Sequence, residues 1–228
     1  MNDGRLTTLH LWGAGPAGAL ARIAADRREL GRTAGLRFWK LLGTGDGRTF
    51  TVRDADLWRW GLLAVWDEPA DLVAFERRSS VARGWGRLAR ERWRADLLPL
   101  RSRGTWAGRL PFGAPDGRAP QGPVAAITRA RIRPVEWRAF WRAVPPVALD
   151  VNATPGLRFG LGIGEAPVGL QGTFTLWDSL RDLSEFAYRG RPHREVIART
   201  AERGWYAEEL FARFAVLQTT GTVAGVRV

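Results

Sequence analysis

Apolar and polar positions alternate along Leu6–Gly13, the two-residue period of a strand with one buried face. Pro16–Gly31 reads as a helix, opened by proline and closed by glycine. Strand-like segments follow at Leu36–Leu42 and Leu57–Trp66, joined across a glycine-rich loop at Gly43–Arg48. Asp67 is placed to cap a second helix, in which Leu72 and Phe75 lie three apart on one face. Helical character is expected to continue toward Trp93, with breaks at Gly84 and Gly86, before a fourth strand at Leu97–Trp106. The order is β-α-β-β-α-β, the ferredoxin-like unit.

Residues 109–122 are rich in Gly and Pro and read as a linker between a first unit, 1–108, and a second, 123–228. The second unit repeats the plan. Val124–Ile132 is a strand, and Pro134–Val144 a helix carrying Trp137, Phe140 and Trp141. Leu157–Glu165 and Gly172–Trp177 are strands, Ser179–Tyr188 and Pro192–Glu209 are helical with an interruption at Gly190, and Phe211–Thr220 is the last strand. The repetition is visible in the residues themselves. Trp66, Asp67, Asp71, Leu72 and Phe75 recur as Trp177, Asp178, Asp182, Leu183 and Phe186 at one constant spacing. Leu36-Arg37-Phe38 returns as Leu157-Arg158-Phe159, and GTWAG at 104–108 as GTVAG at 221–225. A sheet with helices on one face leaves the other face bare, so two such units pack sheet to sheet. The expected fold is α+β: two tandem ferredoxin-like units forming a dimeric α/β barrel within one chain. The space between the sheets is the expected pocket for an apolar ligand or flat cofactor.

Composition sharpens this only in places. The 228 residues contain no cysteine, which removes disulfides, thiolate ligands and a Cys nucleophile. No apolar run is long enough to span a bilayer, and the N-terminal residues do not resemble a signal peptide, so a cytoplasmic location is the simplest expectation. The net charge of +12 would suit an anionic partner. Lys40 is the only lysine, however, and the arginines are scattered among acidic residues, which favours a compositional origin for the charge.

The candidate chemistry is narrowed by scarcity. The only histidines are His10 and His193, so a three-histidine zinc centre is impossible. There is no G-x-S-x-G and no phosphate loop, and the glycines of 156–166 lie within a strand rather than opening a helix. A heme needs one strong axial ligand. His193 follows Pro192 at the expected start of a helix and could present an imidazole, with Glu195 or a carbonyl orienting its other nitrogen; a surface histidine is the alternative. His10 lies mid-strand, where a satisfied core or solvent histidine or a distal-pocket role are all open. At the spacing of the tryptophan repeat His193 matches Ala82, so only the second half carries this ligand and one heme per chain would follow.

The segments LRFWKLLGTG (36–45), RGTWAG (103–108), GPVAAITRARIRP (122–134), FGLGIGEAP (159–167), FTLW (174–177), FAYRGRPHREVI (186–197) and GWYAEELFARF (204–214) together resemble the spheroidene monooxygenase family. The resemblance implies a heme-containing oxygenase of carotenoid biosynthesis that makes a C-2 ketone in acyclic carotenoids. Dioxygen and an electron donor such as ferredoxin would be consumed, and a related natural-product substrate remains open. It implies one heme b per chain with iron on His193, the histidine of the family's Pro-His pair. Phe38, Lys40, Trp106, Arg131, Phe159 and Glu165 lie in matching strand segments. Of these, Phe38, Lys40, Arg131 and Phe159 are candidate cofactor contacts. Lys40 or Arg131 would answer a heme carboxylate, and Lys40, Trp106 and Arg131 are candidate distal residues. An apolar substrate also raises the prospect of peripheral contact with a membrane. Two other classes stay open: a heme dehydratase or lyase of a nitrogen-containing molecule, like aldoxime dehydratase, and a non-enzymatic ligand- or RNA-binding module. For the last, the RNA-binding aromatic signature is missing, and no nucleic-acid partner is expected.

Overall fold

A computed structural model describes residues 5–49, 54–113, 121–136, 151–165, 172–189 and 205–228. The strands are β1 (Thr7–Gly13), β2 (Leu36–Gly45), β3 (Ala55–Trp66), β4 (Glu91–Gly104), β5 (Val124–Ile132), β6 (Leu157–Glu165), β7 (Gly172–Trp177) and β8 (Tyr206–Gly221). The helices are α1 (Pro16–Leu30), α2 (Pro69–Arg78), α3 (Ser80–Leu88) and α4 (Leu180–Arg189). Every strand pairing is antiparallel, and the sheet closes in the order β1-β3-β2-β6-β7-β5-β8-β4. Each half contributes four adjacent strands in the ferredoxin-like order. Two seams join the halves: Leu42–Gly45 against Gly162–Glu165, and Trp93–Gly104 against Leu210–Gly221.

The two-residue period sorts side chains into two layers. Leu9, Leu11, Leu63, Trp93, Ile127, Phe174 and Phe214 point inward and form one buried core drawn from both halves. The interior is therefore filled, not the open pocket expected from the sequence. Eight strands enclose a space just wide enough for side chains, and large apolar residues occupy it here. Outside the first half-sheet, Trp12, Trp60, Trp66, Phe75 and Trp85 form a second core under α1–α3. Among the described residues the matching outer core of the second half is smaller: Val124, Val151, Trp177 and Leu183.

Several element boundaries differ from expectation for local reasons. The break between α2 and α3 falls at Ser79, whose extended backbone lets its hydroxyl accept the Val81 N–H at 3.1 Å. Gly84 and Gly86 lie inside α3; a Cβ on Gly84 would collide with the Arg22 guanidinium crossing it. Glu68, not Asp67, caps α2, and Asp67 pairs with Arg37 instead. Strand β4 starts at Glu91, which puts Trp93 in the barrel. Residues 206–209 are extended in β8 rather than helical. Pro134–Glu136 is a short 3-10 turn, while Trp137, Phe140 and Trp141 lie outside the described residues.

The repeat persists in three dimensions. Arg37–Asp67 is matched by Arg158–Asp178. The Asp67 N–H donates to the Gly35 carbonyl at 2.8 Å, and Asp178 does the same to Gly156 at 2.8 Å. Both glycines have positive φ, and a Cβ on either would strike the carboxylate of Asp71 or Asp182. The GTWAG and GTVAG loops both turn through an alanine of positive φ, closing the bridges Trp106↔Arg109 and Val223↔Val226. Each loop is held by the opposite half. Glu208 accepts the Gly108 N–H at 2.8 Å, and Glu91 accepts the Gly225 N–H at 2.7 Å.

Candidate active site

One end of the barrel carries charge inside it. The inward row of β5 runs Ala125, Ile127, Arg129, that of β6 runs Leu161, Ile163, Glu165, and that of β8 runs Phe214, Ala212, Leu210, Glu208. Lys40 follows Phe38 on the inward row of β2. These rows converge. Lys40 Nζ donates to Glu165 Oε2 at 2.8 Å, and the Trp106 indole donates to Glu165 Oε1 at 2.8 Å. Arg129 reaches Glu165 Oε1 at 3.2 Å and also pairs with Glu208. Its guanidinium lies 5.4 Å from the Trp106 ring centroid, a cation–π contact, and Phe38 meets Trp106 edge-on at 5.8 Å.

Two cations and two carboxylates thus neutralise one another. Burial would raise the Glu208 carboxyl, but the Gly108 N–H, Arg129 and the Thr105 hydroxyl hold it down to about 2. Glu165 is likewise pushed upward by burial and more strongly downward by Lys40, Trp106 and Arg129, so its net shift is down. Both remain ionised at neutral pH and cannot serve as general acids there. Their role is to fix Trp106 and the rim.

The strand registers give each of these residues a counterpart at the other end. Lys40 corresponds to Leu161, Arg129 to Leu11, Glu165 to Thr44, and Trp106 to Val223; only Glu208 keeps its chemistry, as Glu91. The fold does not require the charges, because the same architecture closes over leucine at the opposite end. Beside the cluster lies an open cleft of about 400 Å³, lined by Leu30, Phe38, Lys40, Glu165, Arg27 and Arg109.

The outer faces of the two half-sheets also differ. Trp12, Trp39, Leu41 and Leu62 of the first half are matched by Ala130, Gly160, Gly162 and Thr173 in the second. Ala126, Thr128 and Thr175 share this face, so it is a floor of small side chains, where the first half carries two indoles and two leucines at the four matched positions. The sequence pattern places these residues in strands but does not tell which of them share a face.

No family model matches the chain. Spheroidene monooxygenase of Rhodobacter capsulatus is 37% identical to it over 210 residues, spanning 90% of this chain and 86% of that one. The spheroidene monooxygenase of Rubrivivax gelatinosus is 36% identical over 219 residues, spanning 95% and 80%. The chain belongs to the spheroidene monooxygenase family. It is accordingly an enzyme, a monooxygenase among the oxidoreductases. A crystal structure of aldoxime dehydratase aligns with a TM-score of 0.58 at 13% identity, over 93% of this chain and 81% of that one, and shares the fold.

Set against the spheroidene monooxygenase resemblance, the candidate residues separate. Phe38, Lys40, Trp106 and Glu165 come together at one barrel end. Phe159, the counterpart of Phe38, sits toward the other end against Trp93 at 5.8 Å, with the packed interior between. Arg131 is exposed at the end of β5. His193 lies outside the described residues. Arg129 and Glu208 were missed, although their spacing from Ile127 and Leu210 on the alternating rows was a usable signal.

His10 is placed on the outer layer of β1, fully enclosed. Thr8 Oγ1 lies 3.1 Å from its Nε2 and accepts the Trp66 indole N–H at 2.9 Å; Trp12 stacks on the ring at 5.6 Å and Phe75 meets it at 6.3 Å. This leaves no space for a metal-bound group. Among the described residues no cluster of three His, Cys, Asp or Glu could hold a metal ion. Burial, helped by the Arg94 charge, holds the His10 imidazole down to about 3 from 6.5. The unfolded chain therefore binds a proton below about pH 6.5 that the folded protein refuses. Stability should be complete above that pH and fall by about 1.4 kcal/mol per unit as acid is added toward pH 3. Urea midpoints at pH 7, 6 and 5 test this, and His10→Gln should flatten the slope. The tested range, from pH 7 to pH 5, lies above that in which Glu165 and Glu208 lose their ionised-state stabilisation.

Proposed function

We propose that this monooxygenase is heme-dependent, that one heme b is held through His193, and that oxygen from O2 is inserted into an apolar substrate of the acyclic carotenoid type. The observation that carries the reading is the small-residue floor on the outer face of the second half-sheet. A flat macrocycle needs a smooth apolar surface, and Ala130, Gly160 and Gly162 offer one where Trp12, Trp39 and Leu41 close it in the first half. Ala82, the counterpart of His193 in the tandem repeat, packs on the first outer core, which supports His193 as a residue addressed to the second outer face. His10 is enclosed by aromatic rings, so His193 is the imidazole left for iron.

Bound there, the heme would supply the iron that activates dioxygen. The chain's own residues have other tasks. His193 would ligate, and Gly160, Gly162 and Thr173 would keep the surface clear. Each hydroxylation takes one O2, two electrons and two protons, and releases one water. Two hydroxylations at one carbon give a geminal diol, which loses water to become a ketone. A ferredoxin would deliver the electrons. No helix among the described residues is long and apolar enough to cross a membrane. Peripheral contact with a bilayer would give access to such a substrate.

The test is turnover of spheroidene by the heme-loaded protein with reduced ferredoxin under isotopically labelled dioxygen. Label should enter the product under conditions that keep the diol from exchanging with water. Turnover of an aldoxime without oxygen consumption, and none of spheroidene, would overturn the reading.

A further inference from the structure

The barrel end opposite the charged cluster carries an unusual surface. Leu57 and Trp58, at the start of β3, are 56% and 63% exposed, and Leu88, at the end of α3, is 38% exposed. Trp58 and Leu88 meet around the β1–α1 turn, and Leu57 precedes Trp58 in the chain. The Ala14 N–H donates to the Trp58 carbonyl at 2.8 Å, and the Trp58 ring covers Gly15, at 3.3 Å from where a Cβ would stand. Leu88 covers Gly18 in the same way, at 3.1 Å. The Arg90 N–H donates to the Gly13 carbonyl at 2.9 Å, which brings the exposed Arg87, Arg90 and Arg92 to the same rim.

The acidic residues of this region are turned to other work. Asp56 pairs with Arg59 at 2.9 Å, and Glu91 is bonded to the N–H groups of Ala224 and Gly225. What faces solvent is an indole and two leucines bordered by guanidinium groups.

We infer that the surface formed by Leu57, Trp58 and Leu88 with Arg87, Arg90 and Arg92 is the face by which this enzyme docks on an anionic lipid bilayer. An indole is at home at the boundary between hydrocarbon and water, where its ring is buried and its N–H stays wet. Leucines beside it add buried apolar area, and arginines answer lipid phosphates, each strengthening binding to an anionic surface. An acidic protein would be met by the arginines but would leave the three apolar side chains without a reason to be exposed. The inference deepens the reading of an enzyme whose substrate is dissolved in lipid, and rests on it for its purpose. Its measurement uses neither heme nor turnover, so the two can fail separately.

The experiment is flotation of the full chain with phosphatidylglycerol vesicles and with phosphatidylcholine vesicles, at low and high salt. The protein should float with the anionic vesicles and be released by salt. Trp58→Ala with Leu57→Ser should lower the bound fraction about tenfold, and Arg87→Glu with Arg90→Glu should do so independently. These side chains are exposed, and an unchanged far-UV circular dichroism spectrum verifies folding. Leu110→Ser with Val135→Ser, two exposed residues away from this surface, should bind as the parent does. The inference is overturned if the parent fails to float, if either patch variant floats undiminished, or if only the control variant loses binding.

Discussion

His193→Ala should abolish heme uptake, leaving a purified protein without a Soret band and without oxygenase turnover. The expectation follows from how few ligands this chain possesses. It has no cysteine, its tyrosines number two, and its other histidine is locked between Thr8, Trp12 and Phe75. His10→Gln should keep its Soret band, because that ring belongs to the helical layer of the first half. A third variant probes the surface rather than the ligand. Gly162→Trp would add bulk to the second-half face, at the counterpart of Leu41, and should exclude heme while His193 is intact. Optical titration with hemin on all three proteins checks the set. Undiminished heme binding by His193→Ala would remove the iron assignment, and undiminished binding by Gly162→Trp would move the heme elsewhere.

Arg129→Met should destabilise the fold by about 3–5 kcal/mol, a large part of the stability of a typical domain. The side chain is 5% exposed and stands between two ionised carboxylates. Removing it leaves Glu208, itself only 9% exposed, without its cation. Lys40→Met should cost less, because Glu165 lies at the rim and keeps Arg129 and Trp106. A sharper test copies the opposite end. Arg129→Leu, Lys40→Leu and Glu165→Thr together install the residues found at the matching positions, and Glu208→Gln removes the carboxylate that would otherwise stay buried without its cation. The quadruple variant should be more stable than Arg129→Met alone, since charges removed with their partners carry no desolvation debt. Urea midpoints measure all four proteins. Equal midpoints for the single and quadruple variants would mean that the charges are not coupled.

The sequence carries the fold because its two periods are local. Alternation marks the strands, and the tryptophan and GTWAG echoes show that the plan is used twice. Closure is not local. Whether the interior is hollow depends on the summed bulk of residues from eight strands, and Trp93 counted toward that sum only once β4 was found to begin at Glu91. The break at Ser79 was hidden for a similar reason. Glycine weakens a helix, but the chain tolerates Gly84 where Arg22 needs room. In the site, Arg129 was legible from its even spacing along β5, whereas its meeting with Glu208 depends on the β5–β8 register. The small floor of the second half becomes visible only when each strand is laid over its partner in the first.

The reciprocal hold of Glu208 on one loop and Glu91 on the other has an evolutionary consequence. Two identical subunits related by a two-fold axis must change both mouths of the barrel whenever one codon changes. Joining the copies in a single polypeptide ended that constraint. One mouth could then acquire Lys40, Arg129 and Trp106 while its twin stayed greasy, and each clasp continued to tie the copies together as they diverged.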